Sequence, residues 1–184
     1  MRASRKGDRI RLALSSGERA VLRHVLESLA SAYRTPPDRI DPRVAGVWYS
    51  DRGCRAAGMT DEEAREWTRQ LHGFKGENLA LIERCLEQLR GTGAKGAALV
   101  IPLDGAEAFV GALNDHRLRM AAEHAIGQEE MDLRDFGAAQ SLGMGRHGAL
   151  MQIHFLAWII EVVLRLIAPE AADWGSVGHG ADGP

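Results

Sequence analysis

The chain has 184 residues, enough for one sizeable hydrophobic core, and the usual domain size of about 100–200 residues favours one domain over two. A formal net charge of -2 excludes a global field that would draw the whole molecule to nucleic acid or an anionic membrane, leaving only local patches open. Cys54 and Cys85 are too few and too far apart for a disulfide scaffold or a four-ligand zinc site, and no signal-peptide pattern precedes them, so a reducing cytoplasm is the expected location.

Residues 1–8 carry Arg2, Arg5 and Lys6 with little to bury and read as a basic tail, the alternative being a nucleic-acid arm. Ile10, Leu12 and Leu14 alternate with Arg11 and Ala13, which predicts a half-buried strand over 9–14. Ser15 and Glu18 have capping-box spacing ahead of Val21, Leu22, Val25, Leu26, Leu29 and Tyr33, so a first helix is expected near 17–34, stopped by Thr35-Pro36-Pro37. Asp41 and Pro42 suit an N-cap and first helical position, opening a short helix to Trp48 that is followed by a loop holding Cys54.

Thr60 and Glu63 repeat the capping box, and Ala64, Trp67, Leu71, Phe74, Leu79, Ile82, Leu86 and Leu89 mark a long helix ending at Gly91. Gly73 and Gly76 each weaken it by up to about 1 kcal/mol relative to Ala, which predicts a kink or break there. The run 97–103, AALVIPL, reads as a second strand whose partner is 9–14, making a two-stranded ribbon that must lie on the helices. Asp104 and Glu107 again have cap spacing, for a helix to about Ala125 ended by Gly127, and one or two helical turns are expected between Glu129 and Phe136.

Leu150 to Ala168 is apolar almost all round a helical wheel. As a membrane span it would place Glu161 and Arg165 in the bilayer at roughly 2.5–3.5 kcal/mol each, so it reads as a core helix sheathed by most of the preceding chain. The tail 169–184, rich in Gly and Asp, is expected to be flexible. The expected architecture is mainly α: a single-domain helical bundle over 9–168 with a small two-stranded β-ribbon.

On the helix from Asp104, the ladder Asp115, Arg119, Glu123 reads as a solvated face, whereas Asn114, His116, Arg117 and His124 fall within the apolar arc. A buried Arg is kept only when paired, and Glu161 in the closing helix is its natural partner. Asn114, Arg117 and Glu161 are therefore expected to form a structural polar core, either fixing helix register or lining a ligand pocket.

These residues also carry a resemblance. Leu113-Asn114-Asp115 with Arg117-Leu118, then Trp158 with Glu161, and Asp41-Pro42 before a short helix, resemble an actinobacterial family of unknown-function domains encoded beside the Clp protease adaptor. The resemblance implies a mostly helical single domain, and some members are described as transcriptional regulators responding to oxidative stress. A redox role there would rest on a closely spaced cysteine pair, whereas Cys54 and Cys85 stand 31 positions apart.

Gly143-Met144-Gly145-Arg146-His147-Gly148 matches G-x-G-x-x-G but follows no strand of a βαβ unit, so it reads as a flexible loop. Arg146 and His147 at a helix start remain candidates for binding a small anion. The seven histidines show no H-E-x-x-H and no i, i+3 or i, i+4 pair, and neither a metal nor another cofactor is expected. No catalytic residue stands out either: no G-x-S-x-G elbow is present. Interaction functions remain. The chain reads as a non-enzymatic regulatory domain that binds another protein or itself through an apolar patch involving Trp48, Trp67 or Met144, with weak or absent nucleic-acid binding and no membrane. The alternative is a small-molecule or anion sensor with a pocket near Arg117, Glu161 and the 143–148 loop.

Overall fold

A computed structural model describes residues 1–90, 98–131 and 143–168. The architecture is mainly α, with long helices packed on one face of a small antiparallel sheet of order β1-β2-β3. β2 (Arg9–Ala13) and β3 (Ala98–Pro102) pair in the register Ile10↔Ile101 and Leu12↔Leu99. These four side chains are buried against the helices while Arg9 and Arg11 point outward, the period-2 pattern expected of them.

The sheet has three strands where the sequence suggested two. The expected basic tail forms β1 (Arg2–Lys6), antiparallel to β2 from Arg2↔Ala13 to Lys6↔Arg9. That pairing leaves a two-residue loop, Gly7-Asp8, with Gly7 at φ +59°, as the first position of a tight hairpin turn requires. The strand lacked an alternating apolar signal because it is an edge strand, and Arg2, Arg5 and Lys6 are the charges that blunt such an edge against further pairing. On the opposite edge, Gln88 does the same work: its amide donates to the Val100 carbonyl at 3.0 Å and accepts from the Val100 N–H at 2.9 Å.

α1 (Ser16–Tyr33) starts with the expected capping box, Ser15 Oγ accepting from the Glu18 N–H and Glu18 Oε2 from the Ser15 N–H. Ser15→Ala should lower unfolding free energy by about 1 kcal/mol, measured by urea denaturation, because it orphans one helix-terminal donor. α2 (Pro42–Trp48) is capped by Asp41, as its sequence suggested. The expected loop around Cys54 is instead a one-turn helix, α3 (Arg52–Ala56), which buries that thiol.

α4 (Asp61–Arg90) runs unbroken for 30 residues, so Gly73 and Gly76 do not divide it. The penalty of two glycines is spread over a long helix whose C-terminal third is anchored by buried Leu81, Ile82, Cys85, Leu86 and Leu89. None of its residues before Leu81 is fully buried, so 61–80 forms an arm lying along the domain surface.

α5 (Ala106–Glu123) starts after a 3-10 turn, Leu103–Gly105, and its cap, Gly105, makes no side-chain bond; Asp104 sits inside the turn rather than capping. Gly105 is nevertheless constrained: a Cβ there would meet Pro102 Cγ at 3.3 Å. α6 (Gln128–Met131) is one turn, and the remainder of the helix expected up to Phe136, like the tail 169–184, lies outside the described residues. α7 (Met144–Ile167) begins at the expected G-x-G-x-x-G loop, most of which is therefore helical, with Gly143 as its cap at φ +78°.

α7 packs along α5 and buries Ala149, Leu150, Ile153, Leu156, Ile159, Ile160 and Val163. It is not the sheathed rod that its composition suggested. Among the described residues Met144, Met151, Trp158 and Leu164 of this helix are exposed. The main core lies between β2, β3, α1, α2, the end of α4, α5 and the inner side of α7, which contributes Leu156, Ile159, Ile160 and Val163.

Candidate functional site

The expected Arg117–Glu161 pair does not form. Glu161 is exposed and bonds to Arg165 one turn on, while Arg117 donates to Asn114 Oδ1 at 3.3 Å on the outer flank of α5, with Asn114 itself exposed. The reason is rotational. α5 buries Ala106, Phe109, Ala112, Leu113 and His116, which turns Arg117 to the margin of the contact. The polar pair between the last two long helices is His116 with Gln152, Nε2 to Oε1 at 3.4 Å.

The expected anion site at Arg146 and His147 is also altered. Arg146 is already held by Glu130, at 2.7 Å to Oε2, and donates to the Ala125 carbonyl at 2.9 Å, so its charge is engaged within the chain. His147 Nδ1 is enclosed and has no hydrogen-bond partner among the described residues. Cys54 and Cys85 are each buried and free, and burial pushes the Cys85 thiol up to about 11, far from the thiolate form that redox chemistry needs. Among the described residues no group of three His, Cys, Asp or Glu side chains could hold a metal ion.

Among the described residues, a dense polar constellation gathers around Asp115, a residue whose sequence pattern was that of a solvated face. Asp115 is drawn inward: Oδ2 accepts from the Tyr33 hydroxyl at 2.6 Å and from Lys75 Nζ at 2.6 Å. Trp48 Nε1 donates to the Asp115 carbonyl at 2.9 Å, so Trp48 is a buried anchor rather than part of an exposed patch. Lys75 Nζ lies 5.0 Å from the Trp48 ring centroid, 5.8 Å from Tyr33 and 5.9 Å from Tyr49. All three fall within the range at which a ring quadrupole attracts a cation. Tyr49 Oη and His72 Nδ1 complete the cluster at 3.2 Å.

Four helices supply this cage. Tyr33 ends α1, Trp48 ends α2 with Tyr49 just beyond it, His72 and Lys75 stand one turn apart on α4, and Asp115 lies on α5. Burial and the Asp115 charge raise both phenols, Tyr49 to about 12, so they act as neutral hydroxyls and ring faces and not as bases. The rest of the expected ladder stands as a pair, Arg119 Nε to Glu123 at 2.7 Å, with Arg119 also reaching Ser28 Oγ at 3.0 Å.

Clefts open on two sides of the cage. One of about 410 Å³ has Trp48 with His24, Ser28, Arg39, Arg119 and Glu123 on its walls. Another, about 620 Å³ and mostly apolar, runs between α2 and α4 with Tyr49, Ala45, Thr68, Arg65 and Arg69. Elsewhere, a shallow apolar groove of about 490 Å³ follows the end of α7 along Ala157, Ile160, Leu164 and Ile167. None of these three has Arg117 or Arg146 on its wall.

No curated protein and no solved structure matches the chain. A domain family described as a domain of unknown function, DUF2017, matches residues 1–167, from the edge strand to the last turn of α7. This mainly helical chain, with its short sheet and its long closing helix, therefore belongs to the DUF2017 family.

Proposed function

We propose that this domain is a non-enzymatic regulatory module that binds a partner helix through the outer side of α7, acting in transcriptional or proteolytic regulation in the cytoplasm. The observation behind the reading is the spacing on that side. Met144, Met151, Phe155, Trp158 and Val162 fall on one line, with the 4-3-4 spacing of a helix-packing seam from Met151 onward. Met144 is 95% exposed and Met151 and Trp158 are each 40% exposed. α7 therefore carries one seam packed on α5 and a second on which Met144, Met151 and Trp158 stay exposed while Phe155 and Val162 are half-buried. Large apolar side chains aligned in this way mark association surfaces.

The partner is another protein or a second copy of this chain. Retention of cytoplasmic proteins on immobilised domain, with light scattering of the purified chain, separates the two. The double variant Met151→Glu/Trp158→Glu should weaken association at least tenfold while costing no more than about 1 kcal/mol in folding stability, as partly exposed positions do. Full retention of every partner and of oligomeric state by a folded double variant would overturn the assignment.

A further inference from the structure

The cage around Lys75 has the composition of a receptor for an organic ammonium ion. One carboxylate oxygen and three aromatic faces converge on a single nitrogen, and the attraction depends on the charge and its hydration, not on which stem carries it. Lys75 satisfies the cage from within, but three features make it a displaceable occupant.

First, the Lys75 and Asp115 side chains retain 12% and 17% of their exposure, so the ion pair is reachable from solvent. Second, Lys75 stands between Gly73 and Gly76 on the arm of α4 that has no fully buried residue, where the helix is locally weakest. Lifting this turn uncovers the aromatic wall of the core, Tyr33, Trp48 and Tyr49, which the incoming ligand covers in turn. Third, Tyr49 is shared between the cage and the cleft of about 620 Å³ between α2 and α4, which gives an incoming ammonium ion room for an apolar body. Ala45 and Gly46 line that cleft together with Arg65 and Arg69, and the small side of this lining suits a slender alkyl chain better than a bulky ring.

We propose that Tyr33, Trp48, Tyr49 and Asp115 form a binding site for a small alkylammonium ligand, with Lys75 as the resident competitor that the ligand displaces. Binding transfers the ammonium contacts from Lys75 to the ligand and returns the Lys75 ammonium to water, so no bond is made or broken. The consequence is mechanical as well. Lys75 ties the α4 arm to α1, α2 and α5, and its displacement loosens residues 61–80 while leaving the sheet and the end of α4 in place. The site is remote in sequence from the α7 seam and stands independently of the role proposed for that surface.

The test uses n-butylammonium, which reproduces the lysine side chain beyond its α-carbon, titrated into the full chain with potassium at equal ionic strength as the control. The readout is the indole N–H resonance of Trp48, whose donor bond to the Asp115 carbonyl places it at the cage wall. The wild type should give a saturable shift that potassium does not. Lys75→Gln, which removes the competitor, should lower the half-saturation concentration at least tenfold, and Lys75→Gln/Asp115→Asn should reverse that gain. Absence of a saturable shift in the wild type overturns the proposal whatever the variants do, as does an unchanged half-saturation in a folded Lys75→Gln chain.

Discussion

Asp115→Ala should be among the most damaging single substitutions at a polar position of α5, lowering unfolding free energy by about 3 kcal/mol in urea denaturation. Breaking a largely buried ion pair by removing one partner costs about 3–5 kcal/mol, because the other charge stays desolvated. Here the deletion strands two groups at once: the Lys75 ammonium and the Tyr33 hydroxyl both lose their 2.6 Å acceptor. The residual exposure of the pair places the loss at the lower end, since water can reach the orphaned ammonium. Lys75→Met distinguishes this account from generic sensitivity of the region. It keeps the Tyr33–Asp115 bond and an apolar stem against the rings, so it should cost less than half as much. Equal losses in the two variants would show that the carboxylate is not the organising group.

The second large effect is on pH dependence. His116 is 1% exposed, and burial holds its imidazole well down, at about 4, with the hydrogen bond to Gln152 only partly opposing this. An imidazole with a folded pKa below its unfolded value of about 6.5 takes up its proton more readily in the unfolded chain. Stability should therefore be fully present above about pH 6.5, fall as pH drops towards 4, and lose no more on this account below that. A gap of about 2.5 units at 1.36 kcal/mol each sets the loss at about 3 kcal/mol. His116→Leu removes the titrating group, so the stability difference between wild type and variant, followed by denaturant unfolding from pH 7.5 to 4, should trace this curve alone. A difference that stays flat with pH would mean that the imidazole is solvated or charged in the folded chain.

Both effects arise from polar groups between helices, and there the sequence was only half legible. The charged pair Arg117–Glu161 expected between the last two long helices is absent, and the part-buried polar contact seen there joins His116 to Gln152 instead. A helical wheel orders side chains by angle without an absolute zero. Turning the α5 contact by one residue exchanges Arg117 for His116, and only the partner helix sets that rotation. Asp115 shows the same limit from the other side. Spaced at i, i+4 from Arg119, it had the pattern of a solvated ladder, and nothing local records that Lys75, Tyr33 and Trp48 from three other helices surround it.

Local chemistry, in contrast, was decided within a few residues. The Ser15–Glu18 and Thr60–Glu63 boxes, the Asp41 cap before Pro42, and the Ile10 and Leu12 face opposite Leu99 and Ile101 all form as their spacing implied, because their partners are neighbours in sequence or fixed by strand period. The helical class, the positions of the principal helices and the β2–β3 pairing were therefore determined by the chain read alone. Tertiary structure alone decided which apolar residues remain uncovered. Composition counts the apolar residues of α7, but only the number and placement of neighbouring elements determine how many are sheathed, and among the described residues α5, α6 and β1 pack against it and leave Met151 and Trp158 exposed.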